Sequence, residues 1–221
     1  MIYFTKDSLN FLKQLKKNNN REWFNENKQR YIDDVKVPFE TFINDLIEKM
    51  QPHCNDLSIT AKDAIFRIYR DVRFSKDKSP YKTKISAIVS PGGRKDKTIP
   101  GIYIEINDTE IRLYSGLYSL DTKQLSNLRT YLSHNMQAFS ELINDPQFKQ
   151  LFGEIKGEKN KRLSKDFEED ALHQPLLYNK QFYFFTSKPA KDILKENLIN
   201  SVVNMYLIAR PVSEFLHEGL Y

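Results

Sequence analysis

The chain lacks most of the residues that usually announce a function. It has one cysteine, Cys54, so neither an intrachain disulfide nor a CxxC pair can form. Packing is the expected role of that thiol, and a reducing, cytoplasmic setting is the expected location. The 7 glycines include no GxxxxGK and no GxGxxG pattern, which removes support for the glycine-rich nucleotide cradles. His53, His134, His173 and His217 lie far apart without HxxxH or HExxH spacing, so no metal site is expected. No serine sits in a GxSxG elbow, and nucleophilic catalysis is not indicated. No apolar run approaches the roughly 18 residues of a spanning helix. The opening "MIYFTKDSLNFLKQLKKNNN" lacks the order of a secretory signal, so no membrane partner is expected.

What the chain does have is core-forming material and unevenly placed charge. Its 221 residues are 40% hydrophobic and 13% aromatic, enough for a substantial globular core. The net charge of +5 is modest, yet eleven Lys and Arg face only four acids between Lys62 and Lys97. The remainder of the chain is slightly negative. Local charge of this kind, more than the global sum, shapes the field an anion meets.

Periodicity divides the chain. Thr5 is placed to cap a helix carrying Leu9, Phe11, Leu12 and Leu15, and a second helical stretch from Asn20 to Met50 contains Pro38 at a kink or a new first turn. After Pro52 the period becomes two. "AIFRIYRDVRF" alternates as a strand, with Phe66, Ile68, Val72 and Phe74 on the apolar side and Arg67, Tyr69, Asp71 and Arg73 on the polar side. "KISAIVS" is a further strand, and "GIYIEIN" and "IRLYSGLYS" form a hairpin in which Ile102, Ile104 and Ile106 alternate with polar residues. Asp121 and Gln124 match a capping box that opens a helix through Leu125, Leu128 and Leu132. Residues 153–179 lack sustained period. "QFYFFTSKP" is a buried strand, and Pro189 opens a closing helix that Pro211 ends. The expectation is one α+β domain spanning 1–221, with a helical N-terminal region, a central mostly antiparallel sheet with one polar face, and C-terminal helices.

"RIYRDVRFSKDKSPYK" is the candidate site. Arginine presents a planar donor fork suited to phosphate or carboxylate, and an aspartate between arginines would hold them in place. Arg70 breaks the alternation, so either the strand ends there or Arg70 is buried against an acid. Arg67, Tyr69, Arg70, Asp71, Arg73, Lys76, Lys78, Tyr81 and Lys82 are the expected ligand-binding residues. Arg21 and Trp23, from "NNNREWFNENKQRY", are added as a second cation and a stacking ring, although a lone tryptophan is more often a core anchor. Glu22, Asp71 and Glu105 are the candidate acids or bases if they converge.

Both quoted stretches, with "GIYIEI", "SGLYSLDTKQLSNLR" and "RPVSEFL", resemble a widespread family of conserved bacterial and fungal proteins catalogued as a domain of unknown function. The matching positions include Asn19, Arg21, Glu22, Trp23, Phe24, Asn27, Lys28 and Tyr31, and most residues from Arg67 to Lys82. The chain departs from the pattern near Leu120, where a proline is expected. The resemblance implies a single mixed α+β domain and names no activity, substrate or cofactor. Three readings follow. The basic segment binds an anionic small molecule, with phosphate the favoured group, or a nucleic acid; or its charges form an internal ion-pair network in a structural or interaction protein; or the chain is a hydrolase or transferase acting on a phosphorylated substrate. Whether it is an enzyme, and in what oligomeric state, is left open by the sequence.

Overall fold

A computed structural model describes residues 1–221. Ten helices and four strands make up an α+β protein. They are α1 (Lys6–Lys17), α2 (Arg21–Glu26), α3 (Lys28–Arg30), α4 (Val37–Met50), α5 (Ala61–Ala64), β1 (Ile85–Val89), β2 (Ile102–Ile106), β3 (Glu110–Leu117), α6 (Thr122–His134), α7 (Met136–Asn144), α8 (Pro146–Phe152), α9 (Asp170–His173), β4 (Phe182–Pro189) and α10 (Leu198–Glu218). The strands form one antiparallel sheet in the order β1-β2-β3-β4. The chain has two compact units: residues 1–94, 103–113 and 187–203 form the first, and residues 95–102, 114–186 and 204–221 the second. No helix is long and apolar enough to cross a membrane.

In the first unit, Thr5 caps α1 by accepting from the Asp7 amide, with Ser8 closing the reciprocal bond. The helical stretch expected from Asn20 is broken into α2, α3, a π-helical turn at Tyr31–Lys36, and α4. Pro38 explains the wide turn. It has no N–H and would crowd the carbonyl four residues back, and the Val37 amide instead reaches five residues back to Ile32. Phe39, Phe42, Ile43 and Leu46 of α4 are then buried, with Phe4 packed on Phe39 and Phe42. In β2, Ile104 and Ile106 are buried as their alternation requires. Glu105 is buried too, at 6% exposure, so the polar face is not simply open to water.

In the second unit, Asp121 and Gln124 form the expected capping box of α6, which buries Leu128 and Leu132. Phe139 stacks on Phe215 at 5.5 Å, and Phe148 and Phe152 pack edge-on against Phe184. Two expectations about the C-terminal region are corrected. Pro189 does not open the closing helix: a 3-10 turn at Ala190–Leu194 intervenes before α10. Pro211 does not end that helix but lies inside it. The helix carries on because Val212, Leu216 and the following Leu220 are all buried, which offsets the one backbone bond that proline removes.

Gly116 in β3 has φ of +89°, and a Cβ there would stand 2.2 Å from the Phe182 carbonyl oxygen. Gly116→Ala is therefore expected to cost about 2 kcal/mol or more, read as a lower denaturation midpoint with unchanged slope.

Candidate functional site

The basic segment does not form the expected strand. Residues 65–87 fold back on themselves as an irregular antiparallel arm, with isolated bridges Ile65↔Ala87 and Tyr69↔Tyr81. Three residues (66–68) on the outgoing side face five (82–86) on the return, so the register slips by two around Thr83 and Lys84. Such bulges re-aim side chains and end regular pairing. Further out, the Arg70 amide bonds the Pro80 carbonyl at 2.9 Å before the arm opens into a loop.

Arg70 closes that loop. Its guanidinium pairs with Asp77 and donates to the Ser79 carbonyl at 3.1 Å and to Ser75 Oγ at 3.4 Å. Asp77 also accepts from the Ser79 amide and hydroxyl at 2.9 and 2.6 Å. Those Ser79 bonds, and then Arg70, hold the Asp77 carboxyl down at about 2, so it is ionised at neutral pH. Lys78 Nζ donates to the Val72 carbonyl at 3.0 Å. Arg73 grips Asp71 with two side-chain bonds, at 3.0 and 2.7 Å. Of the two alternatives for Arg70 the first holds: the strand does not continue through it, and the arginine is not buried but pairs, partly exposed, with the exposed Asp77. Phe74 is corrected from the apolar side to the tip, where it is 95% exposed. Arg73 lies 5.8 Å from its ring centroid. Beside it, Lys76 is exposed and makes no hydrogen bond or ion pair.

The foot of the arm is fixed by the N-terminal helices. Tyr81 is buried and stacks on Phe24, with centroids 3.9 Å apart and planes 16° from parallel. Asn19 clamps the Tyr81 backbone from outside: Nδ2 donates to the carbonyl at 2.9 Å and Oδ1 accepts from the amide at 3.1 Å. The amide side chain takes the place of a neighbouring strand. Tyr69, half exposed, leans on the same pair, 5.4 Å from Tyr81 and 6.3 Å from Phe24. Trp23 is half-buried against Phe11 at 5.5 Å, an anchor of the helices. Arg30 bonds Gln14 and Asn27, each at 2.9 Å, and so ties α1 to the turn that follows α2. Tyr31, beside Phe11 and Phe24, is pushed up to about 12 by burial and then by Glu40 and Tyr69, and acts as a neutral ring.

A different cluster forms where the arm joins the sheet. Lys82 sits over the Phe66 ring at 5.5 Å, and Phe66 meets Tyr103 edge-on at 5.9 Å. Lys84 pairs with the buried Glu105, to which the Tyr103 hydroxyl also donates at 3.4 Å. Burial pushes the Lys82 ammonium below the ordinary lysine range, and the positive charges of Lys84 and Arg67 push it further. Arg67 itself is exposed, with no hydrogen bond or ion pair. Arg67 and Lys84 thus lie within electrostatic reach of Lys82, while the acids nearby are already engaged, Glu105 by Lys84 and Asp71, which also feels Arg67, by Arg73. Burial holds the Tyr103 hydroxyl above its ordinary value, against the lowering effects of a Ser86 hydrogen bond and the Lys84 charge.

The expected site residues are thus divided. Arg67 and Lys82 stand in this cluster; Arg70, Asp71, Arg73, Lys76 and Lys78 belong to the loop of the arm; Tyr69 and Tyr81 are at its foot. Arg21 and Glu22 are exposed on α2, within electrostatic reach of Tyr81 and without ion-pair partners. Glu22, Asp71 and Glu105 do not bond one another, because Asp71 is held by Arg73 and Glu105 by Lys84. Sequence reasoning missed Lys84, Tyr103 and Phe66 as members of a site. The signal was Lys82 and Lys84 two apart, entering a strand whose neighbour alternates Tyr103 with Glu105. No group of three His, Cys, Asp or Glu residues is arranged to hold a metal ion.

Lys84→Met leaves Glu105 buried without its cation and is expected to destabilise by about 1–3 kcal/mol. Adding Glu105→Leu should restore most of the loss; chemical denaturation of the single and double variants measures it.

A family model described as a conserved hypothetical protein (DUF2461) matches residues 7–215. No curated protein matches the chain.

Proposed function

Since the chain belongs to the conserved hypothetical family DUF2461, a description that carries no activity, we propose from its own geometry that it binds a phosphate-bearing small molecule. Arg67, Lys82 and Lys84 receive the anion, the Tyr103 hydroxyl borders it, and the exposed Tyr69 ring offers a face to an attached base or sugar. The supporting observations are the seat of the partly buried Lys82 on the Phe66 ring within electrostatic reach of Arg67 and Lys84, and the engagement of the nearby acids Glu105 and Asp71 by Lys84 and Arg73. Like charges brought together in a partly desolvated place raise the free energy of the unliganded protein, and a phosphate group reverses that sign. The buried Cys54, in no disulfide, suits the cytoplasmic setting proposed with it.

A small ligand is preferred to a nucleic acid because the arm's other cations are mostly spent internally: Arg70 on Asp77, Arg73 on Asp71 and Lys78 on a backbone carbonyl. A polyanion needs a track of available cations, whereas a single phosphate needs a point. The internal-network reading therefore fits the loop of the arm, and the anion reading fits its junction with the sheet. A reaction has weaker support, since Glu105 neutralised by Lys84 is a poor base.

Calorimetric titration with pyrophosphate, adenosine monophosphate and a short single-stranded oligonucleotide tests the proposal. Arg67→Ala should weaken the phosphate ligands by about tenfold or more, while Lys76→Ala leaves them unchanged. Oligonucleotide binding that depends equally on both residues would replace the proposal with a nucleic-acid surface. The pH dependence has a definite sign. Because the folded Lys82 pKa is depressed, the cation is lost as pH rises through a value below the ordinary lysine range. Affinity should fall there, with proton uptake on binding visible as a buffer-dependent enthalpy. Lys82→Arg should move that fall to higher pH.

A further inference from the structure

Two features are unexplained by anion binding. Phe74 presents a large apolar ring almost wholly to water at the tip of the arm, flanked by Arg73 and the unpartnered Lys76. Phe74 is thus a single exposed ring held out on a loop that the Arg70–Asp77 pair and its serine contacts close. In the second unit, α7, α8 and α10 border an open groove of about 620 Å³. Its floor includes Leu142, Phe148, Leu207, Ile208 and Pro211, and its polar margin carries Glu141 and Asp145 with no basic side chain among the lining residues.

Each feature has what the other lacks. The knob is aromatic with cationic neighbours; the groove is apolar with acidic neighbours. We propose that Phe74 of one copy seats in the α7–α8–α10 groove of a second copy, with Lys76 of the knob facing Glu141 and Asp145 of the rim. The ring would lose its contact with water, the main gain available to it, and the charges set orientation and discourage other occupants. The contact is heterologous, one surface meeting a different one, so it yields closed assemblies if the rotation closes and chains if it does not. A contact centred on one ring is modest, and association is expected in the micromolar to submillimolar range.

A complementation experiment by analytical ultracentrifugation tests it. The wild-type chain should associate with rising concentration up to roughly 0.1 mM. Phe74→Ser removes the knob and leaves the groove; Leu207→Glu spoils the groove and leaves the knob. Each alone should sediment as a monomer, with circular dichroism confirming that it is folded, and an equimolar mixture should recover a 1:1 species. Glu141→Lys provides a second groove variant should Leu207→Glu fold poorly, since Glu141 lies on the exposed rim. A wild-type chain that stays monomeric at the top concentration overturns the proposal. So does association indifferent to Phe74→Ser, or a mixture that recovers nothing. Phosphate binding is measured separately at dilute concentration, so failure of self-association leaves the anion site standing.

Discussion

Phe24→Ala is expected to lower the unfolding free energy by about 3–5 kcal/mol, the largest stability effect of any substitution considered for this chain. Phe24 is 2% exposed and is where the N-terminal helices and the arm meet. Its ring is stacked on Tyr81 at 3.9 Å and packs on Tyr31 at 5.2 Å and Phe11 at 6.4 Å. Truncation would leave a cavity bordered by three rings that are themselves fixed from other sides, Tyr81 through the Asn19 clamp and Phe11 through α1. Such a site collapses poorly, and for that reason the cost falls at the upper end of the range for core truncations. Urea denaturation of Phe24→Ala beside Phe24→Leu measures it. The leucine variant, keeping volume without the stack, should lose about half as much. A loss below about 1 kcal/mol for the alanine variant would mean that the arm is not seated on the helices.

Arg67→Glu is expected to have the largest effect on binding, a fall of about 100-fold or more in affinity for pyrophosphate, equivalent to roughly 2.7 kcal/mol. The side chain is exposed and makes no ion pair, so its reversal leaves the fold intact. Reversal both removes a donor and presents a repelling charge beside Lys82. Because that new carboxylate would also relieve the cation crowding, the Lys82 pKa should rise in the variant. Loss of affinity together with a raised Lys82 pKa is a signature that a purely structural arginine would not give. Calorimetry reads the first, and the shift of the alkaline limb of the pH profile reads the second.

Much of the architecture was legible from local signals. Thr5, the Asp121–Gln124 box and the Ile102–Ile104–Ile106 alternation are rules that operate within a few residues, and each marks an element where one forms. What escaped were decisions made at long range. "AIFRIYRDVRF" has the period of a strand, but no full neighbouring strand pairs with it. The bonds that define its path come from Asn19, 62 residues from Tyr81, and from Arg70 reaching forward to Asp77. Once the register slips at Thr83 and Lys84, alternation no longer reports facing, and so Phe74 points outward. Pro211 is the same lesson in a helix, where a local breaker yields to the burial of Val212, Leu216 and Leu220 beyond it. The site showed a similar split. Charge density drew attention to the correct stretch, yet it could not separate cations consumed by neighbouring acids from those left over.

That separation is the central claim, and side-chain NMR of the lysine ammonium groups during titration with pyrophosphate tests it most directly. Lys82 and Lys84 are expected to shift together with saturating behaviour, Lys76 to stay in place, and the Lys82 pKa to rise on binding. Movement confined to Lys76 and Lys78 on the loop of the arm, with Lys82 unaffected, would contradict the account and assign the anion to the tip.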